Sequence, residues 1–100
     1  MNKVILMGRL TRDVEMYGQK SKVAIFCLAV DRKYGEDETD FFNCVSFGKQ
    51  AEFVEKYLKK GAKILLSGRL QNNNYEDKQG NKVTSTQIIT EEIEFVESKK

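Results

Sequence analysis

The sequence predicts an all-β fold, a five-stranded Greek-key barrel with one short α-helix between strands 3 and 4. Two observations carry this. Apolar stretches of strand length alternate with glycine- and charge-rich turns along the whole chain, and only one segment, beginning at Lys49, switches to helical spacing. With 100 residues the chain has room for one core, burying roughly 65% of the surface it exposes when unfolded.

The first strand runs from Asn2 to Thr11, where Val4, Ile5, Leu6 and Met7 favour extended backbone, and the second from Val23 to Val30. Gly18 to Ser21 supplies turn chemistry between them. The third strand, Thr39 to Phe47, is entered from Gly35 to Glu38 and left at Gly48. From Lys49, Ala51, Val54 and Leu58 recur at helical spacing, and Lys59, Lys60 and Gly61 form a basic last turn and a stop. A fourth strand covers Ala62 to Gln71. After it come a polar reach through Asn72, Asn73, Asn74 and Tyr75, a turn at Asp77 to Gly80, and a last strand from Lys82 to Phe95.

This count and order suit the OB-fold, whose ligands are oligonucleotides and oligosaccharides; a small α+β sandwich fits the same pattern. The first two strands are apolar on both faces, since Val4, Leu6 and Leu10 alternate with Ile5 and Met7, and Ala24, Phe26 and Leu28 with Val23, Ile25 and Cys27. A barrel wall has one inner face, so the second apolar face calls for another cover, and self-association is the simplest.

Net charge is +2, from 17 basic and 15 acidic residues, and neither half of the chain forms a basic arm. Any electrostatic footprint is a local patch. The apolar run Val4 to Met7 is far too short for a secretion signal or a membrane span, so the expected location is the cytoplasm, with no membrane partner. Cys27 and Cys44 then read as reduced core thiols.

Enzyme chemistry finds little support. There is no histidine for a Ser-His or Cys-His pair, and the glycines match neither a Rossmann fingerprint nor a P-loop. No cofactor is expected, and no metal, since two cysteines without histidine fall short of a four-ligand zinc site. The acidic run Glu36, Asp37, Glu38 and Asp40 lacks calcium-loop spacing and reads as a solvated loop.

Aromatic residues are more informative. Phe26, Phe53, Tyr57 and Phe95 fall at apolar strand or helix positions and are expected in the core. Tyr34, beside Arg32 and Lys33, and Tyr75, among asparagines, sit in polar loops where packing requires no ring. They are either exposed tyrosines without a role or stacking platforms for unpaired bases. In the third strand Thr39, Phe41, Asn43, Val45 and Phe47 share one face. By pattern alone that face, the more apolar of the two, belongs inside.

The opening Met1 to Asp13, the block Thr39 to Glu52 with its Phe47-Gly48-Lys49, the stretch Tyr57 to Gly61, and Gly68 to Leu70 through Tyr75 to Asp77 together resemble the bacterial single-stranded DNA-binding protein family. The resemblance covers nearly all of the chain and implies an OB-fold domain over 1–97, with 98–100 a short remnant. It implies a homotetramer that binds single-stranded DNA without sequence preference, in replication, recombination and repair. It places Tyr34, Phe41, Phe47 and Tyr75 at the family's base-stacking positions, against the pattern reading of Phe41 and Phe47. Lys49 and Lys60 match its phosphate-contacting lysines, and Arg9, Arg32 and Lys33 are expected on the same surface.

Three departures from the family's usual sequence stand out. Val14 replaces a usual proline; Asn72, Asn73 and Asn74 occupy a stretch that is often basic, which makes salt dependence shallower; and tyrosine and phenylalanine replace tryptophan, giving smaller stacking faces. The family typically continues into a tail with an acidic tip that recruits replication and repair proteins, and the sequence stops at Val96 to Lys100 without it, as a truncated or naturally short member. Two other readings keep the same barrel: a protein-interaction module of the replication-restart type, and a cold-shock-type binder of single-stranded RNA.

Overall fold

Strand β3 (Val23–Asp31) shows most simply how the sequence folds: alternation sends Ala24, Phe26 and Leu28 fully into the interior and leaves Val23, Ile25 and Ala29 half-buried on the other face. The computed structural model describes residues 1–34 and 38–96. The turn expected at Gly35, the acidic Glu36 and Asp37, and residues 97–100, with the expected domain end and remnant, lie outside the described residues.

The other elements are β1 (Val4–Leu10), β2 (Glu15–Tyr17), β4 (Thr39–Phe47), α1 (Gly48–Tyr57), β5 (Lys63–Glu76) and β6 (Lys82–Phe95). The five long strands close on themselves, because β1 pairs with β5, β5 with β6, β6 with β4, β4 with β3, and β3 again with β1. All these pairings are antiparallel except β4 with β6. The helix sits where the spacing of Ala51, Val54 and Leu58 predicts, between the third and fourth long strands. The sixth strand, β2, is an addition to the expected five: it shares with β1 one edge of β3, pairing Glu15 to Tyr17 with Ile25 to Val23. Three residues with one inward apolar side chain, Met16, give too short a period to read from sequence.

Two glycines permit the closure. A Cβ at Gly8 would collide with the Ala29 carbonyl where β1 crosses β3, and one at Gly68 with the Ile89 carbonyl, at the bulge where the β5–β6 register shifts.

The core joins Leu10, Ala24, Phe26, Leu28, Cys44, Ile64, Leu66 and Ile88 from the strands to Ala51, Val54 and Leu58 from the helix segment, which plugs one end of the ring. Cys27 and Cys44 are both buried free thiols, and burial, with Cys27 nearby, pushes the Cys44 thiol up to about 12. Of the four aromatics expected inside, only Phe26 is there. Phe53, Tyr57 and Phe95 are exposed, a correction to the pattern reading. Ala51, Val54 and Leu58 already fill the helix face that meets the core, so Phe53 and Tyr57 fall on its flank.

The polar reach after Gln71 is also β-structure. β5 and β6, 14 residues each, run on past Gln71 as a two-stranded arm, in which Thr84 Oγ1 donates to Asn74 Oδ1 (2.8 Å) and Thr86 Oγ1 to Asn72 Oδ1 (3.1 Å). Cross-strand side-chain bonds here replace the apolar alternation by which strands are usually recognised. At the tip, Asp77 Oδ1 accepts the Gln79 and Asn81 amides, both at 2.9 Å, which hold its carboxyl below the usual range. No helix among the described residues is long and apolar enough to cross a membrane.

Candidate nucleic-acid interface

Strand β4 turns Phe42, Cys44 and Ser46 inward, so Phe41, Asn43 and Phe47 face out, with Phe41 64% and Phe47 52% exposed. The pattern reading that put these two rings inside is thereby corrected. It failed because the face carrying Thr39, Asn43 and two phenylalanines looks more apolar than its reverse, although β4's inward share is completed by small residues, Cys44 and Ser46.

Register assigns the neighbours of this face. Cα pairing sets Phe41 against Ala29 and Phe47 against Val23. Beyond Ala29 in the same row is Arg9 of β1, whose Nη1 donates to the Gly61 carbonyl at 2.9 Å. On the other side Asn43 pairs with Gln87, and Gln87 with Gln71. Tyr75, 50% exposed, lies four residues further along β5, so it has the same facing as Gln71 but stands about 13 Å out along the arm at ~3.3 Å per residue.

Tyr34, 89% exposed, leads into the loop between β3 and β4, with Lys33 Nζ 5.5 Å from its ring centroid. The stem of that loop is fastened by Arg32. Its guanidinium bonds both Asp40 carboxylate oxygens (3.0 and 3.1 Å) and Glu38 (2.6 Å), while its amide donates to the Glu38 carbonyl. Arg32's hydrogen bonds hold the Asp40 carboxyl below its ordinary value. Arg32 is thus tied to two carboxylates.

Lys49 opens α1 directly after Phe47 and Gly48. With Phe47 it lines a shallow groove of about 510 Å³, together with Lys20, Lys22 and Glu52. The first turn of α1 has no acidic residue, so the positive end of the helix dipole adds to these lysines. Lys20 and Lys22 were missed by sequence reasoning. Nothing local marks them; they arrive beside Phe47 through the pairing of Val23 with Phe47 and the bond from the Gly48 amide to the Lys22 carbonyl. Lys60 lies at the other end of the helix, its amide donating to Asp13 Oδ1 at 2.9 Å, in a second groove that Arg9 also lines.

The fold therefore brings Phe41, Phe47 and Arg9 to one face, sets Lys49 beside Phe47 and Lys33 beside Tyr34, and leaves Tyr75 on the arm and Lys60 at the helix end. Among the described residues no cluster of histidine, cysteine, aspartate or glutamate could hold a metal ion. Flat rings open to solvent with cations beside them can stack bases and neutralise phosphates along an extended strand.

A closed ring of strands with such a surface defines the class: an OB-fold built for single-stranded nucleic acid. The chain belongs to the single-strand binding protein family, whose profile matches residues 1–96. It is 48% identical, over 99% of its length, to a single-stranded DNA-binding protein of Fusobacterium nucleatum, of which it covers 69%. It is 49% identical to single-stranded DNA-binding protein 1 of Staphylococcus aureus, covering 67% of it, and 45% identical to the single-stranded DNA-binding protein 1 of Lactococcus lactis, covering 71%.

Proposed function

We propose that the chain binds and protects single-stranded DNA without sequence preference, in the cytoplasm, during replication, recombination and repair. Bases stack on Tyr34, Phe41, Phe47 and Tyr75, while Lys49, Lys60, Lys33 and Arg9 follow the phosphates; Arg32 joins them only on release from its carboxylates. The observation that carries this is the exposure of both Phe41 and Phe47 on the same face of β4, about 20 Å apart at ~3.3 Å per residue, at positions where the core does not need them. Duplex DNA binds poorly on this mechanism, because its bases are already stacked on one another.

The assembly is a homotetramer. Ile5 and Met7 of β1 and Leu65 of β5 stand exposed on the outer wall, Met7 directly opposite Leu65, and a second copy laid on this face buries them. Replication and repair proteins are recruited by a tail in any longer form of the protein.

Titrating a labelled thymine oligomer and a matched duplex against the protein tests the reading. Saturable binding of the oligomer with much weaker duplex binding is expected. Equal affinity for the two, or no oligomer binding, removes it.

A further inference from the structure

We propose that the groove at the end of α1 is a second base-stacking platform for the same strand, with Phe53, Tyr57 and Phe95 as its rings and Lys59, Lys60 and Lys63 as its phosphate contacts. This rests on the reading of the chain as a single-strand binder and extends it.

Phe53 stands between the other two rings. Phe53 and Tyr57 have centroids 5.0 Å apart at 46°, and Phe53 and Phe95 are 6.2 Å apart at 57°, a tilted cluster. Each ring remains between 37% and 50% exposed, whereas Phe26 in the core is fully buried. The barrel end is already closed by Ala51, Val54 and Leu58, so this triad is not needed for the plug.

Charge indicates the occupant. The groove, of about 410 Å³, is lined by Arg9, Tyr57, Lys59, Lys60, Lys63 and Phe95, with the Gly61–Ala62 backbone between, and among the described residues no acidic side chain lines it. Lys56 lies 5.4 Å from the Tyr57 centroid and adds another cation beside the ring. At the flank Asp13 accepts the Lys60 amide. Four cations around two open rings match a polyanion with flat apolar groups, which describes a single strand and not an apolar protein face.

Continuity supplies the third argument. Arg9 stands in the row Phe41, Ala29, Arg9, two strand spacings or about 10 Å from Phe41, and its guanidinium reaches the Gly61 carbonyl at the groove. At ~3.4 Å of stacked strand per nucleotide, about three nucleotides carry the chain from Phe41 to Arg9, fewer than the ~4–16 that one OB-fold engages, so one strand can span both.

The experiment follows a labelled thymine oligomer of about 35 nucleotides by fluorescence anisotropy, with wild type, Phe41→Ala, Tyr57→Ala/Phe95→Ala and Lys59→Gln/Lys63→Gln, each checked by thermal melting and light scattering. The aromatic pair is expected to lose on the order of tenfold in affinity. The lysine pair is expected to lower the slope of log affinity against log salt by about 1.4, at ~0.7 per phosphate contact. Should the aromatic pair unfold, Tyr57→Ala alone and the lysine pair carry the test. Wild-type affinity and slope in these variants, alongside a weakened Phe41→Ala, overturn the second platform and leave the first intact. A changed subunit count with unchanged affinity overturns it in favour of a protein contact, and absence of oligomer binding by wild type removes the primary reading itself.

Discussion

Phe41 stands directly opposite Ala29 in the β3–β4 ladder. A methyl group is too small to cover the flank of a phenyl ring, so the ring stays open although its strand lies inside the sheet, with partners on both edges.

Phe41→Ala should lower affinity for a thymine oligomer by about 1–3 kcal/mol, the cost of one lost stack, and Phe41→Trp should raise it through a larger face. Stability should stay within about 0.5 kcal/mol, because the ring buries little in the free protein. Anisotropy titration and urea unfolding read the two quantities separately; a large fall in stability with unchanged binding would show that Phe41 packs and does not stack.

Lys49→Gln should make salt dependence shallower, by ~0.7 in the slope of log affinity against log salt, with little change for stacking itself. An unchanged slope would mean that no phosphate lies against Lys49.

Asp40→Asn should loosen the stem of the Tyr34 loop by releasing Arg32. The Asp40 carboxyl is held below its ordinary 3.8 by Arg32's hydrogen bonds, so its contribution to stability is present above that value and is lost as pH falls through the lowered one. Urea midpoints of wild type and Asp40→Asn should therefore differ at neutral pH and converge in acid. A difference that persists in acid strong enough to protonate Asp40 in the folded protein would contradict the clamp.

Ile5→Asp/Met7→Asp should leave the fold intact and reduce the subunit count seen by light scattering, since both side chains point away from the core. A wild-type count in this variant would move the contact to another face.

Much of the fold was legible locally. The alternation in Val23 to Val30 and the helical spacing of Ala51, Val54 and Leu58 each follow from a period, and a period is written in neighbouring residues. The arm beyond Gln71 was not legible as strand, because Asn72 and Asn74 are held by Thr86 and Thr84 across the ladder, and pairing partners leave no mark on local hydropathy. Tyr34 and Tyr75 could be singled out because their sequence neighbours are polar. Phe41 and Phe47 could not, on pattern, because an apolar ring on a strand reads the same whether the face it occupies is inside or out.

The sequence by itself determined the class of fold, the helix position, the lack of histidine-based chemistry and, through four blocks of resemblance, the family. Only the tertiary structure decided that Phe53, Tyr57 and Phe95 lie open, that Lys20 and Lys22 gather beside Phe47, and that Arg32 is held by Asp40 and Glu38. The physical reason is that periodicity reports which side chains share a face, whereas exposure and charge pairing depend on which distant segment covers that face. That is settled only when the ring of strands closes.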